Sequence, residues 1–161
     1  MTDDLRIRPA ARAVVLSPRP SILLVRFEFP AGTRWALPGG GLEIGESHVD
    51  ALQRELHEEI GLAGREIGPH IWTREHHFPF LDGNWDGQRE HIHLVTIDRE
   101  FPPEPSLSWD ELRTEFLHEI RWWTPDELRA SDAHFVPFDL AALVDDLIEI
   151  GPPATAINVR P

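Results

Sequence analysis

Residues 40–62 read Gly-Gly-Leu-Glu-Ile-Gly-Glu-Ser-His-Val-Asp-Ala-Leu-Gln-Arg-Glu-Leu-His-Glu-Glu-Ile-Gly-Leu. Ser47, with Asp50 three residues later, makes a capping-box-like helix start, and Gly61 suits the cap at the far end. At about 100° per residue, Val49, Leu52, Leu56 and Ile60 fall on one stripe that must face a core. Glu55, Glu58 and Glu59, at i, i+3 and i+4, cluster on another face. Like charges that close repel by roughly 0.2–0.5 kcal/mol per exposed pair. A helix shaped for stability alone would set basic residues among them. Taken alone, the cluster reads as a solvated acidic face or as the seat of a cation. Oxygen-only ligands suit a hard ion, Mg²⁺ or Mn²⁺, which keeps several waters and is shared with substrate phosphates.

Working outward, Ala11 to Leu16 and Ile22 to Phe27 are β-rich runs split by a Pro-stiffened loop, which predicts a hairpin. Trp35-Ala36-Leu37 runs into Pro38-Gly39-Gly40-Gly41, a turn needing backbone freedom. Beyond the helix, Arg65 to Phe78 and Arg89 to Phe101 are expected as long strands. Pro102 to Asp110 reads as a loop, and Leu112 to Trp123 as a further strand. Thr124-Pro125 starts another helix. Leu140, Leu143, Val144, Leu147 and Ile148 mark a last one over Asp139 to Ile150, before a Pro-rich tail from Gly151. Strands and helices mix without the regular alternation of a doubly wound sheet. The fold expected is α/β (α+β), an α/β/α sandwich with a mixed central β-sheet, formed as one domain over residues 1–161.

Composition bounds the function. The formal charge of −13, from 28 acids against 15 bases, sets an unfavourable field for duplex nucleic acid. Every base is arginine, so lysine Schiff-base chemistry and a P-loop lysine are excluded, and with no cysteine so are thiolate zinc sites and thiol nucleophiles. The start, Met1-Thr2-Asp3-Asp4-Leu5-Arg6, is acidic where a signal peptide is basic, and no run is apolar enough to span a membrane. A cytoplasmic protein without membrane partners is expected.

Residues 40–62 resemble the Nudix box at every defined position: Gly40, Glu46, Arg54, Glu55, Leu56, Glu58, Glu59, Gly61 and Leu62. Trp35-Ala36-Leu37-Pro38-Gly39-Gly40 before it and Trp122-Trp123-Thr124-Pro125-Asp126-Glu127-Leu128 near the end are also similar to that family. The resemblance implies a Nudix-like sandwich and an Mg²⁺-dependent pyrophosphohydrolase, with Mn²⁺ as an alternative ion. It implies that Glu55, Glu58 and Glu59 bind metal, with the Gly40 carbonyl as a further ligand. Arg54 would pair with Glu46 and hold the loop against the helix. Family members often recruit one more glutamate; Glu115 and Glu119 are the candidates, and Glu115 is preferred. The general base stays open among Glu55, Glu59 and that extra glutamate.

The substrate implied is a phosphorylated small molecule, a nucleoside diphosphate linked to another group. No tyrosine is present to play the downstream marker linked to dinucleoside polyphosphates, and Pro79 stands near the proline associated with ADP-ribose and similar sugars. A nucleotide sugar is therefore the leading expectation and (d)NTP cleavage the nearest alternative. A non-catalytic binding or regulatory module is the alternative of another class, against which the three intact glutamates speak. Arg89, His91 and His93 share a strand face by the two-residue period. They are candidates for substrate contact, or a half-exposed face; His91, His93 and His77 are also a conceivable zinc set. Trp85 ranks above Trp35 and Trp109 as a base-stacking candidate, since it lies in a loop where packing explains it least. Many relatives are homodimers, and the tail from Gly151 could reach a partner, though no residue requires it.

Overall fold

The structure is a computed structural model and describes residues 4–161. The first half of the acidic start, Met1 to Asp3, lies outside the described residues. Strand β1 (Ile7–Ser17) turns into β2 (Ser21–Phe29), and β2 into β3 (Gly32–Ala36). A short β4 (Gly39–Gly41) leads to helix α1 (His48–Ile60). Strands β5 (His70–His77) and β6 (Gly87–Thr96), helix α2 (Trp109–Thr114) and β7 (Leu117–Trp123) follow. Helix α3 (Pro125–Ala130), β8 (Phe135–Val136), α4 (Leu140–Ile150) and β9 (Ile157–Asn158) complete the chain.

One mixed sheet runs β8-β3-β2-β1-β6-β5-β9. β1 and β2 are antiparallel and paired only near their turn, at Leu16↔Ile22 and Ser17↔Ser21. They then part: β1 runs parallel to β6 along its length and takes β4 on its other edge, while β2 takes β7. The gap between them receives the Leu37-Pro38-Gly39 segment, with the Ala13 N–H donating to the Pro38 carbonyl at 3.0 Å. That opening brings the glycine turn beside the sheet and under α1.

Both faces of the sheet are covered. On one, Ala11, Ala13, Val15, Leu23 and Val25 pack against Leu52, Leu56 and Ile60 of α1, with Leu112 and Leu117. On the other, Val14, Ile22, Leu24, Trp72 and Ile92 pack against Leu128, Leu140, Val144 and Leu147 of α3 and α4. Each wholly buried aliphatic side chain contributes about 1.5–3 kcal/mol relative to exposure. The α1 stripe differs from expectation at its start: Val49 is 39% exposed, and the first-turn contact is made instead by His48, whose ring stacks on His91 at 3.8 Å. Ile148 is likewise 39% exposed at the edge of the α4 stripe.

Several boundaries moved. β5 begins at His70 rather than Arg65, because Gly64, Gly68 and Pro69 keep the approach irregular, and β6 spans Gly87–Thr96 rather than Arg89 to Phe101. β4 is a strand rather than only a turn. The segment expected as one strand from Leu112 is a helix followed by β7: Ser108 caps α2 with a full capping box to Glu111. Thr124 caps α3 as expected. The Pro-rich tail folds back, pairing Ile157 and Asn158 with Trp72 and Thr73 of the same chain. No helix among the described residues is long and apolar enough to cross a membrane.

Candidate functional site

The site is built on β4 and α1. Gly39 has φ 139°, and a Cβ there would collide with the Ala11 carbonyl oxygen of β1. Its N–H is thereby aimed at Glu59, donating to Oε2 at 3.0 Å. Gly40 lies under Glu55, and a Cβ there would stand 2.6 Å from Glu55 Oε1. The helix thus sits against bare backbone, and Glu55 and Glu59 are buried, at 9% and 3% exposure, instead of solvated as an acidic face would be. Burial, then the neighbouring Glu55 charge, pushes the Glu59 carboxyl well above the usual range. Burial likewise raises Glu55, against the opposing pull of Arg54.

Two further carboxylates complete the group. Glu58 follows one turn after Arg54. Glu115 is the C-cap of α2. Glu115 remains open to solvent, yet desolvation of its carboxyl and the charge of Glu58 raise its pKa. Its charge in turn acts on Glu55 and Glu59. Glu119, the other candidate, is held by Arg26 at 2.9 Å on β7.

Arg54 organises the cluster. Nε and Nη2 donate to the two oxygens of Glu46 at 2.9 Å each, and Nη2 also reaches the Gly41 carbonyl at 3.1 Å. Nη1 donates to Glu55 Oε1 at 2.9 Å and Glu58 Oε2 at 3.3 Å. The Arg54 bonds, with the Glu43 N–H, hold the Glu46 carboxyl at about 2. Among the described residues no three His, Cys, Asp or Glu side chains are already gathered tightly enough to hold an ion. Arg54 stands between two of them. The donor set nonetheless fits a hard divalent cation: it is all oxygen, and two of its carboxylates are buried with their ionised forms disfavoured.

On the opposite face of the sheet lies a network the sequence reading missed. Glu90 Oε1 accepts from Arg12 Nε at 2.8 Å, Gln88 Nε2 at 2.9 Å and Arg74 Nη1 at 3.3 Å. Arg12 also donates to the carbonyls of Leu37 and Gly39, at 2.9 and 3.3 Å. Burial opposes the charge of Glu90, but Arg12 and Arg74 together hold its pKa down. The two-residue period that singled out Arg89, His91 and His93 carries Gln88 and Glu90 on the other face. That alternation was the available signal.

The expected substrate contacts separate. Arg89 is exposed and paired with Glu75. His91 is stacked between His48 and His70, at 3.8 and 4.2 Å, and His93 Nδ1 donates to the Gly68 carbonyl, 3.0 Å away. His77 is engaged with Glu75 instead, so the His77–His91–His93 zinc set does not assemble. Trp85 is half-buried in the loop before β6, where its carbonyl accepts from Phe80 N–H. Trp35 is core, edge-on to Trp123 at 5.1 Å. Trp109 is 39% exposed under Arg113.

Comparison with known proteins matches residues 6–143 to the family described as NUDIX domain. The chain is 33% identical over 106 residues to Nudix hydrolase 25 of Arabidopsis thaliana, covering 58% of this chain and 59% of that protein, less than two thirds of its length. It is 30% identical over 161 residues to an RNA pyrophosphohydrolase of Sphingopyxis alaskensis, covering 93% of this chain and 96% of the relative. Among solved structures, the NUDIX domain of Shewanella oneidensis NrtR complexed with ADP ribose superposes with a TM-score of 0.63 at 18% identity, over 92% of this chain and 90% of that one. At that identity the likeness concerns the fold.

Proposed function

The chain belongs to the Nudix family, and we propose that it is an Mg²⁺-dependent hydrolase of the P–O–P link in a nucleoside diphosphate derivative. One observation carries the proposal: Glu55 and Glu59 are buried against a side-chain-free turn, with Glu58 and Glu115 close enough to raise the cost of their charge. Such an arrangement is costly for stability and suits a divalent ion shared with phosphates. In this reading residues 1–161 act as one catalytic unit.

Glu55, Glu58 and Glu59, with the Gly40 carbonyl, would hold the metal. When bound, it offsets phosphate charge and acidifies an attacking water. Arg54 keeps the loop on the helix through Glu46, and its bonds to Glu55 and Glu58 would give way to an ion held there. Gly39 fixes Glu59 by its N–H. Glu115, the most solvent-open of the carboxylates, takes the proton from water as it attacks phosphorus in line with the departing phosphate.

Two substrate readings have support. Pro79 and the ADP-ribose complex of the Shewanella oneidensis domain favour a nucleotide sugar. The RNA pyrophosphohydrolase name of the Sphingopyxis alaskensis relative favours a triphosphate end.

The test is a panel of ADP-ribose, nucleotide sugars, dinucleotides and nucleoside triphosphates with Mg²⁺, with products identified by mass. Wild type should turn over at least one of them, and Glu58→Gln and Glu115→Gln should not, while melting near the wild-type temperature. Full turnover by Glu58→Gln would remove its metal role. No turnover by wild type on any member would favour a non-catalytic binding module.

A further inference from the structure

Two arginines hold the glycine turn that meets α1, one from each side. On the helix side, Arg54 Nη2 reaches the Gly41 carbonyl at 3.1 Å. On the other, Arg12 Nη1 donates to the Leu37 carbonyl at 2.9 Å and to the Gly39 carbonyl at 3.3 Å. Between the two carbonyls that Arg12 takes lies the Pro38–Gly39 peptide, and both its polar groups are engaged. Its carbonyl accepts from Ala13 N–H at 3.0 Å, and its N–H donates to Glu59 Oε2 at 3.0 Å. A continuous path therefore runs from Arg12 through the turn to a carboxylate of α1.

Arg12 is itself fixed. Its backbone pairs with Gly39 in the β1–β4 register, and its Nε donates to Glu90 Oε1 at 2.8 Å. Glu90 is buried, and the same oxygen accepts from Gln88 Nε2 at 2.9 Å and from Arg74 Nη1 at 3.3 Å. Stability alone gives no reason for this Arg–Glu–Arg group, because apolar side chains of similar volume are commonly as stable as a buried ion pair or more so. The same face of β1 and β6 carries Val14 and Ile92, both wholly buried in an apolar core that residues 12 and 90 could have continued. What an apolar side chain cannot supply is a donor for two backbone carbonyls. A guanidinium has five donors in one rigid plane, so Nε can hold Glu90 while Nη1 spans both carbonyls.

We propose that Arg12 is a positioning residue of the metal site: anchored by Glu90, it fixes the Pro38–Gly39 peptide, and the Gly39 N–H then holds Glu59 ready for the ion. The inference rests on the hydrolase reading above and deepens it. The two arginines divide the carboxylates between them. Arg54 sets Glu55 and Glu58 directly, and Arg12 sets Glu59 through the turn, from the face of the sheet away from α1. Loss of Arg12 should therefore weaken metal binding and lower kcat, with KM for the organic substrate little changed at saturating metal.

The test reads two quantities on the whole chain without substrate: Mn²⁺ binding by calorimetry at the site that Glu58→Gln abolishes, and hydrogen exchange of the Gly39 amide by NMR. Arg12→Lys keeps a charge beside Glu90 but cannot serve the carboxylate and both carbonyls. The triple variant Arg12→Met, Arg74→Met, Glu90→Met removes the group as a unit and leaves none of its three charges unpaired. Each should bind Mn²⁺ about 10- to 100-fold more weakly, as when other residues that orient metal ligands are lost. Exchange at Gly39 should quicken by about tenfold, the loss of one net hydrogen bond. The triple variant should melt no lower than wild type. Wild-type Mn²⁺ affinity and wild-type Gly39 exchange in either variant, whatever its Tm, would overturn the assignment and leave the group a structural one. If the triple variant does not fold, Arg12→Lys decides alone. Should wild type bind no Mn²⁺ at these carboxylates, the hydrolase reading fails, and Gly39 exchange in Arg12→Lys still decides whether Arg12 holds the turn.

Discussion

Arg54 grips both oxygens of Glu46, each at 2.9 Å, across the start of α1. The two-pronged pair fixes the guanidinium plane, so that its third nitrogen must point at Glu55 and Glu58. One residue therefore clamps the loop and shields the carboxylates that would otherwise repel. A lysine could keep the charge but not the fork.

Arg54→Lys should consequently fold and fail as a metal enzyme. We expect the Mg²⁺ concentration for half-maximal turnover to rise, or kcat to fall, by roughly 10- to 100-fold, as for other residues that orient metal ligands. A magnesium titration of turnover checks it. An unchanged midpoint and kcat would leave the clamp without a catalytic consequence.

Adjacent glycines should behave differently. At Gly39 a Cβ meets the backbone of Ala11 and the φ is positive, so nothing nearby can yield. Gly39→Ala should cost about 3 kcal/mol or more and lower the folded yield. At Gly40 the obstacle is the end of a side chain, Glu55. Gly40→Ala should melt near wild type yet lose most of its turnover, because Glu55 is displaced. Thermal melts beside kcat measurements distinguish the two, and equal losses of stability would contradict the contrast.

What could be read in the sequence divides by range. Helix α1 and both its caps follow from neighbours within four residues, and its boundaries came out as expected. Helix α2 carried an equally local signal, Ser108 with Glu111, but six residues are too few to show a period, and the alternation running to Trp123 masked it. Val49 obeys the helical period and is still exposed, because where the sheet ends beneath the first turn is not a local property. The Glu90 network was the hardest to see. A buried carboxylate is tolerated only by its partners, and these come from positions 12 and 74, on other strands. Only pairing of β1, β5 and β6 brings them together.

The α2 cap gives a test of action at one remove. Ser108 Oγ accepts from Glu111 N–H at 3.2 Å, and Glu111 Oε2 accepts from Ser108 N–H at 3.1 Å. The helix they start ends on Glu115. Ser108→Ala should cost about 1 kcal/mol. It should also lower kcat several-fold, roughly what a sub-ångström misplacement of a reacting group does. Ser108→Asp, another good cap, should restore both. A loss of stability with kcat intact would show that Glu115 is positioned without the cap.

The histidine ladder predicts an acid limit. Burial first, then His48, His70, His93 and Arg89, lowers the His91 pKa to about 4 from its ordinary 6.5. The unfolded chain thus takes up this proton first as the pH falls. Stability from the neutral ring is complete above the ordinary value and is lost as the pH drops from there to about 4. The whole shift corresponds to roughly 3 kcal/mol. His91 is half-buried, so solvent screens it, and we expect about 1 kcal/mol, or roughly 3 °C in Tm. Raised carboxyls such as Glu59 act in the opposite direction over part of this range, so the measurement is a difference. His91→Phe keeps an aromatic ring against His48 and His70 and cannot be protonated. Its Tm should gain on wild type as the pH is lowered from neutral toward 4.5, and parallel curves would mean that the ladder opens without cost.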